Sequence, residues 1–328
     1  METMAASAVI PTRHRPQVMA RTLESLLGQE RRPAELIVVD ASQDDETQRV
    51  MEAFAGKTTG GMAVTWMRAE TAGAAAQRNQ GVAAATQPVI WFLDDDILLE
   101  PDCTARLWTA LHSAPDIGGV NAMITNQRYQ TPGRVSRFMF QLMAGEKCDS
   151  YAGRVLGPAV NLLPEDRDDL PEIVPVEWLN TTCTMYRREA LPQPPFPAHF
   201  TGYSMMEDVT LSLLVAQKWK LANARTARIF HDSQPGSHKA DIAELAEMEL
   251  VNRHYVMTRV LGRTGVANHL RLAVWELFHL ATGLLNVDGR RTLLASCCGK
   301  WRALRKIGRT NSAEASVLNA RLLSKHHS

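Results

Sequence analysis

The 328-residue chain is poor in cysteine, carries no strong charge of either sign and lacks a long apolar run. Its five cysteines, Cys103, Cys148, Cys183, Cys297 and Cys298, are odd in number and form no Cys-x-x-Cys pair. That argues against a zinc site or a disulfide framework and fits a reducing, cytoplasmic setting. The best membrane-like stretch, Leu272 to Val287, is interrupted by Glu276 and His279. It falls short of the ~18 to 20 apolar residues of a spanning helix. Met1 to Pro16 holds no apolar run of the secretory kind. No Gly-x-x-x-x-Gly-Lys-Ser/Thr segment occurs, which argues against P-loop chemistry. Thirty-six Lys and Arg stand against 35 Asp and Glu, so global charge gives no reason to expect a nucleic-acid partner.

What is present is an ordinary globular composition, 45% hydrophobic and 22% charged. Charge is unevenly placed. Val287 to Ser328 holds nine Lys and Arg against two Asp and Glu, a net of +7, which leaves −6 on the rest of the chain. A basic tail on a mildly acidic body suits an anionic membrane surface, so a peripheral position on the inner face of a membrane is expected.

The first half alternates apolar runs with helical patterns. Ala8 to Ile10, Glu35 to Asp40, Val64 to Arg68 and Val89 to Leu93 read as strands. Pro16 to Leu27, a segment capped by Asp44 and Asp45 and reaching Phe54, Ala74 to Ala85, and a segment opening at Pro101 read as helices. This order predicts an α/β fold with a mostly parallel sheet flanked by helices. Ligands in such sheets sit at the carboxyl ends of the strands. Residues 125–175 read as loops with short elements. Val176 to Tyr186 and Ala224 to Phe230 read as extended, and Glu207 to Trp219 as a helix. From Ala240 onward the pattern is helical, with Asp241 to Leu261 and Asn268 to Leu285 amphipathic.

Asp94-Asp95-Asp96 directly follows the apolar run Val89 to Leu93. Three adjacent carboxylates repel one another unless a cation neutralises them. Hard oxygen ligands suit Mg²⁺ or Mn²⁺, and such an ion can bridge a diphosphate. Glu207-Asp208 opens a second apolar helix, where acids also favour the helix dipole.

Five segments in order resemble family 2 glycosyltransferases of the GT-A fold. They are Ile10-Pro-Thr-Arg-His-Arg15, Ile37-Val-Val-Asp-Ala-Ser-Gln-Asp44, Gly73-Ala-Ala-Ala-Gln-Arg-Asn79, Phe92-Leu-Asp-Asp-Asp-Ile97 and Met206-Glu-Asp-Val-Thr-Leu-Ser212. The resemblance covers residues 7 to 235. It implies a GT-A catalytic domain over 1–235, with a nucleotide-sugar half over 1–124 and an acceptor half over 125–235, followed by a helical extension over 236–328. It implies donor contacts from Thr12, Arg15, Asp40, Arg78, Asn79, Asp94 and Asp95, with Arg13 an equally basic neighbour of Arg15. It implies a Mn²⁺ or Mg²⁺ site at Asp94, Asp96 and His231, with Asp232 and His238 as further candidates. It also implies a general base at Asp208 beside Glu207, and an inverting transfer from a nucleotide-diphosphate sugar to a hydroxyl acceptor, lipid-linked acceptors included. The family's usual acid two residues further on is Thr210 here. Trp178 and Tyr203 are candidates for stacking on sugar faces.

Three competing readings fit less well. A haloacid-dehalogenase-like phosphatase carries its Asp-x-Asp on the first strand, followed by small residues, whereas Ile97 and Leu98 follow here. A nucleotidylyltransferase wants a Gly-rich opening loop, and Pro11 to Arg15 has no Gly. A non-catalytic sugar-nucleotide or glycan-binding protein has no need for both acidic clusters.

Overall fold

A computed structural model describes residues 2–58, 61–233 and 241–325, with side chains described up to residue 309 of the last helix. His238 lies outside the described residues. The chain divides into two compact units. The first comprises Met1–Leu156 and Val160–Gln234, and the second Gly157–Ala159 and Pro235–Ser328.

The first unit is built on a nine-stranded mixed sheet. Its strands are β1 (Glu2–Thr12), β2 (Arg31–Asp40), β3 (Ala63–Arg68), β4 (Val89–Leu93), β5 (Ile97–Leu99), β6 (Ile117–Ile124), β9 (Ile173–Val176), β10 (Cys183–Arg187) and β11 (Lys220–His231). A hairpin of β7 (Val155–Leu156) and β8 (Val160–Asn161) stands apart. The helices are α1 (Pro16–Leu27), α2 (Glu46–Ala55), α3 (Ala74–Ala84), α4 (Cys103–His112), α5 (Arg134–Ala144) and α6 (Glu207–Val215).

The sheet runs β3-β2-β1-β4-β10-β6-β11-β5, with β9 on β11. The half expected from the strand–helix alternation, β3-β2-β1-β4, is parallel throughout. Beyond it, β10 pairs antiparallel with both β4 and β6, so the sheet turns mixed. All five residues of β4 are buried, as expected of a strand with neighbours on both edges and layers on both faces. The core is continuous from Met4 and Ile10 through Trp91 and Leu93 to Ala224 and Ile229.

Two elements escape the sequence pattern. β6 is buried at all eight positions, yet contains Gly118, Gly119 and Asn121. A Cβ on Gly118 would lie 2.5 Å from the Trp219 side chain, and one on Gly119 2.6 Å from the Tyr186 ring. Packing therefore demands small residues where an apolar run is the usual strand signal. α5 lies inside the segment read as loops.

The second unit contains α7 (Ile242–Tyr255), continued by a π-helical turn over Val256–Val260, then α8 (Val266–Gly283) and α9 (Val287–Lys325). Leu250, Met257, Leu272 and Ala303 form its small core. α9 packs closely on α7, where a Cβ on Gly299 would lie 2.1 Å from the Ala243 carbonyl oxygen. Glu276, which interrupts the apolar stretch of α8, is buried and meets Lys300 and Arg253. Among the described residues no helix is long and apolar enough to cross a membrane.

Candidate active site

Acidic residues gather where the carboxyl ends of β4 and β11 meet the start of α6. The turn after β4 is fixed from α1: the Thr22 hydroxyl lies 2.8 Å from the carbonyls of Asp95 and Ile97 and 3.1 Å from the Ile97 N–H. Asp94 donates its N–H to the Thr182 carbonyl at 3.0 Å. The three carboxylates then diverge. Asp95 turns inward, accepting from the Thr12 hydroxyl at 2.6 Å and from Arg15 at 3.2 Å. Asp96 receives the same Arg15 nitrogen at 3.0 Å. Asp94 receives Arg78 at 2.7 Å.

His231 ends β11, and its Nε2 lies 3.1 Å from Asp96 Oδ1. One ligand atom from each of Asp94, Asp96 and His231 can be chosen so that all three lie within 4.8 Å of one another. These are the three positions the sequence singles out for a metal. Asp232 has its side chain in an ion pair with Arg21 at 2.6 Å, while its N–H meets the Asp96 carbonyl at 2.8 Å.

Thr12 and Arg15 thus bind the acidic turn itself. Arg13 is exposed, and its neighbour His14 pairs with Asp44 at 3.0 Å. Asp40 is fully buried at the end of β2. One of its oxygens caps the turn at Ser42, whose N–H lies 2.8 Å away. The other lies 3.4 Å from the Trp66 indole nitrogen and 3.5 Å from Arg68. Arg68 also stacks over Trp66 at 4.8 Å, so an aromatic and a cation line this edge. Gln77 joins the two strand ends by donating to the carbonyls of Thr12 and Val39 at 2.9 and 2.7 Å.

Arg78 is buried on α3 and joins the two acidic clusters. One nitrogen meets Asp94 at 2.7 Å, and the other meets Glu207 at 3.2 Å. Asn79 next to it does different work. Its amide donates to the Phe196 carbonyl at 2.8 Å and accepts the Phe196 N–H at 3.0 Å. Both ends of that amide therefore hold the 196 segment, beneath which Phe196 packs edge-on against Phe92 at 5.4 Å.

Helix α6 starts from an unusual approach. Gly202, Ser204 and Met206 all have positive φ, at 63°, 58° and 73°. The two non-glycine residues hold a conformation that costs about 1 kcal/mol or more each. Thr210 secures the last of them, donating its buried hydroxyl to the Met206 carbonyl at 3.0 Å. Gly73 anchors the same segment with φ 146°, and a Cβ there would lie 3.2 Å from the Gly202 nitrogen. The result is a fixed direction for Glu207 and Asp208. Glu207 is committed to Arg78, whereas Asp208 is only partly covered and accepts its own helix's Val209 N–H at 2.7 Å.

Electrostatics follow from this crowding. Burial, then the charges of Asp96 and Asp94, push the Asp95 carboxyl up to about 6 despite Thr12 and Arg15. Burial and Asp208 raise Glu207 well above the usual carboxylate range, against Arg78. Burial and Asp94 raise Asp208, against the Val209 N–H and Arg78. Tyr203, exposed in the approach to α6, has its phenol pushed up by partial burial and then by the charges of Asp94, Glu207 and Asp96. Trp178 is instead buried and donates to the Leu162 carbonyl at 2.8 Å. Thr22 and the loop after β6 had no motif in the sequence to mark them, and Gln77 lay in a recognised segment without a role of its own. Arg68 and Trp66 carried only the signal of an aromatic and a cation two residues apart on one strand face.

Residues 7–192 match the family described as glycosyl transferase family 2, more than half of the chain. The chain belongs to that family. This family 2 chain is 28% identical over 123 residues to the glucosyl-dolichyl phosphate glucuronosyltransferase of Haloferax volcanii. The match covers 37% of this chain and 38% of the relative, so it spans about two fifths of the relative's length. Among solved structures it resembles a mannosyltransferase of Pyrobaculum calidifontis in complex with GDP-Man and Mn²⁺. The TM-score is 0.56 at 16% identity, over 92% of this chain and 87% of that one. GalNAc-T7 with UDP, GalNAc and Mn²⁺ gives a TM-score of 0.54 at 17% identity, over 77% and 47% of the two chains. These likenesses establish the GT-A fold for this family 2 glycosyltransferase.

Proposed function

We propose that the protein moves a sugar from a nucleotide-diphosphate sugar to a hydroxyl acceptor, with inversion and with the help of a divalent cation. The observation that carries this reading is the double contact of Arg78, which ties Asp94 to Glu207 through one buried guanidinium. The donor side and the acceptor side of a displacement are thereby held at fixed separation.

The residues present fit a cation. Two carboxylate oxygens and one imidazole nitrogen within 4.8 Å form a donor set suited to Mn²⁺ or Mg²⁺. Burial, with the neighbouring charges of Asp96 and Asp94, raises the Asp95 carboxyl, and a cation beside it would oppose that rise. A cation held by Asp94, Asp96 and His231 would neutralise the departing diphosphate. The structural relatives support the choice, since both are described with Mn²⁺ and a nucleotide or nucleotide sugar.

The protein's own residues supply the rest. Asp40, Trp66 and Arg68 form a polar, flat edge for the nucleotide base. Thr12 and Arg15 hold the acidic turn in place, and Asn79 positions the 196 segment beneath Arg78. Asp208 takes the proton of the acceptor hydroxyl as its oxygen bonds to the anomeric carbon. The bond from that carbon to the diphosphate breaks, and its electron pair leaves with the nucleotide. A single displacement of this kind inverts the centre, and a positioned base contributes about 10²- to 10⁴-fold. Asp208 suits this role better than Glu207 because Glu207 is hydrogen-bonded to Arg78, whereas Asp208 feels Arg78 only at longer range and accepts its own helix's Val209 N–H.

We assign the first unit as the catalytic domain and the second as a helical extension that meets an anionic membrane surface. Leu294, Trp301 and Leu304 of α9 are exposed beside Arg302 and Arg305. An apolar face flanked by cations suits the bilayer interface. Lys300 does not belong to that face, because it is buried against Glu276. On the first unit, Val135, Phe138 and Leu142 form an exposed stripe of α5 beside Arg134 and Arg137. The archaeal relative's dolichyl-phosphate substrate agrees with a lipid-linked acceptor.

The test is nucleotide release from a panel of nucleotide sugars, followed with Mn²⁺ and again in excess EDTA. Release that requires both an acceptor and the metal is expected. Full release in EDTA contradicts the metal assistance. Phosphomonoester turnover without sugar transfer contradicts the transferase reading.

A further inference from the structure

The loop after β6 carries no family motif, yet it grips the end of β11 through three consecutive polar residues, Thr125, Asn126 and Gln127. Thr125 donates its N–H to the Ile229 carbonyl at 2.8 Å. Asn126 clamps the His231 backbone from both sides, donating to its carbonyl at 2.9 Å and accepting its N–H at 3.0 Å. Gln127 then reaches the imidazole itself, with its amide nitrogen 3.1 Å from His231 Nδ1. The other ring nitrogen faces Asp96 Oδ1 at 3.1 Å.

A cation bound through Nε2 needs the ring hydrogen on Nδ1. The Gln127 amide lies against Nδ1, and its carbonyl oxygen can accept that hydrogen, since a half-turn exchanges the two ends of the amide. We propose that Gln127 is a positioning residue that accepts the Nδ1 hydrogen of His231 and so holds the ring with Nε2 toward the cation. This rests on the reading of Asp94, Asp96 and His231 as a cation site. Residues that bond the second nitrogen of a ligating histidine typically change metal affinity by about 10- to 100-fold when removed. Gln127 is exposed and its own N–H bonds within the turn to the Ile124 carbonyl at 3.2 Å. Replacing its side chain therefore leaves the turn and the Asn126 clamp in place.

Two readouts on the whole chain test the idea. Mn²⁺ affinity is measured by electron paramagnetic resonance, with and without UDP or GDP, for the wild type, Gln127→Met, Gln127→Glu and His231→Ala. Gln127→Met is expected to bind about 10-fold or more weakly. Gln127→Glu, which keeps an acceptor for Nδ1–H, is expected to bind at least as well as the wild type. In parallel, ¹⁵N spectra of histidine-labelled protein, assigned by His231→Ala, report which ring nitrogen carries the hydrogen. With saturating Mg²⁺ and nucleotide it should appear on Nδ1. Unchanged Mn²⁺ affinity in Gln127→Met, with wild-type binding intact, overturns the role of Gln127 and leaves the cation site standing. A ring hydrogen that stays on Nε2 in the metal-bound protein overturns it as well. Absence of Mn²⁺ binding in the wild type overturns the cation site, and this role with it.

Discussion

Each of the two units buries a network of charge, and the two networks are balanced in opposite ways. In the helical unit, Arg253 and Lys300 face Glu249 and Glu276, two cations for two acids. In the first unit, the arginines among the described residues that face Asp94, Asp95, Asp96, Glu207 and Asp208 are Arg15 and Arg78, and His231 meets Asp96 as well. The carboxyl groups respond accordingly. Arg253 and Lys300 overcome the effect of burial and hold Glu249 below its ordinary value. Asp95, Glu207 and Asp208 are all pushed up. A matched network fastens three helices and needs nothing further. A network whose carboxylates outnumber the described cations suits the proposed cation site, and its raised carboxyls lie nearer neutrality than ordinary ones.

The largest effect expected from breaking this contrast is on catalysis. Asp208→Asn keeps the shape of the helix start and removes the proposed base. Transfer should fall by about 10²- to 10⁴-fold, while nucleotide binding, measured by calorimetry, survives. Near-normal transfer in this variant would move the base to Glu207 or reduce both acids to helix capping.

The matched network should respond through stability alone. Lys300→Met leaves Glu276 buried without its nearest cation. Breaking one partner of a buried pair costs about 3 to 5 kcal/mol, read as a lower midpoint in chemical denaturation. A loss within the error of the measurement would mean that Arg253 suffices for both acids.

The pH slopes of the two networks should differ in sign. The contribution of Asp95 is present below its ordinary value of 3.8 and is lost as pH rises through about 6. The contribution of Glu249 is present above its ordinary value of 4.5 and is lost as pH falls through its lowered one. A cation removes the first penalty and leaves the second term untouched. The rise in melting temperature on adding Mn²⁺ should therefore be larger at pH 7 than at pH 5. Equal shifts at both pH values would separate the acid excess from cation binding.

The same contrast explains what could be read from the chain itself. The parallel half of the sheet was legible because β4 and β2 are apolar runs ended by acids and flanked by helical patterns. The metal-side acids were legible because they are consecutive, and Glu207-Asp208 because they open a helix. β6 was hidden by Gly118 and Gly119, which the packing of Trp219 and Tyr186 requires, and by Asn121, which accepts from Asn223. The pairing of Arg78 with Asp94 and Glu207 joins residues up to 129 positions apart, which no local pattern encodes. Asn79 stands in a recognisable segment, yet its amide holds the Phe196 backbone. The matched network was illegible for a related reason. Glu276 read as a flaw in an apolar stretch, and Lys300 as one more cation of a basic tail, until folding buried them together.

The smallest expected effect concerns the outward cations of α9. Arg302→Gln with Arg305→Gln should weaken binding to anionic vesicles by about 1 kcal/mol per residue near the surface. Binding of the wild type should also weaken with salt. Equal and negligible partitioning to anionic and neutral vesicles would leave α9 as a structural cap.

The most direct test of the account is the configuration of the product. The proposed base and cation site, with no second nucleophile invoked, call for transfer by a single displacement. NMR of the product made from an α-linked nucleotide sugar should show a β-linkage. An α-linked product would contradict the displacement, and with it the role given to Asp208.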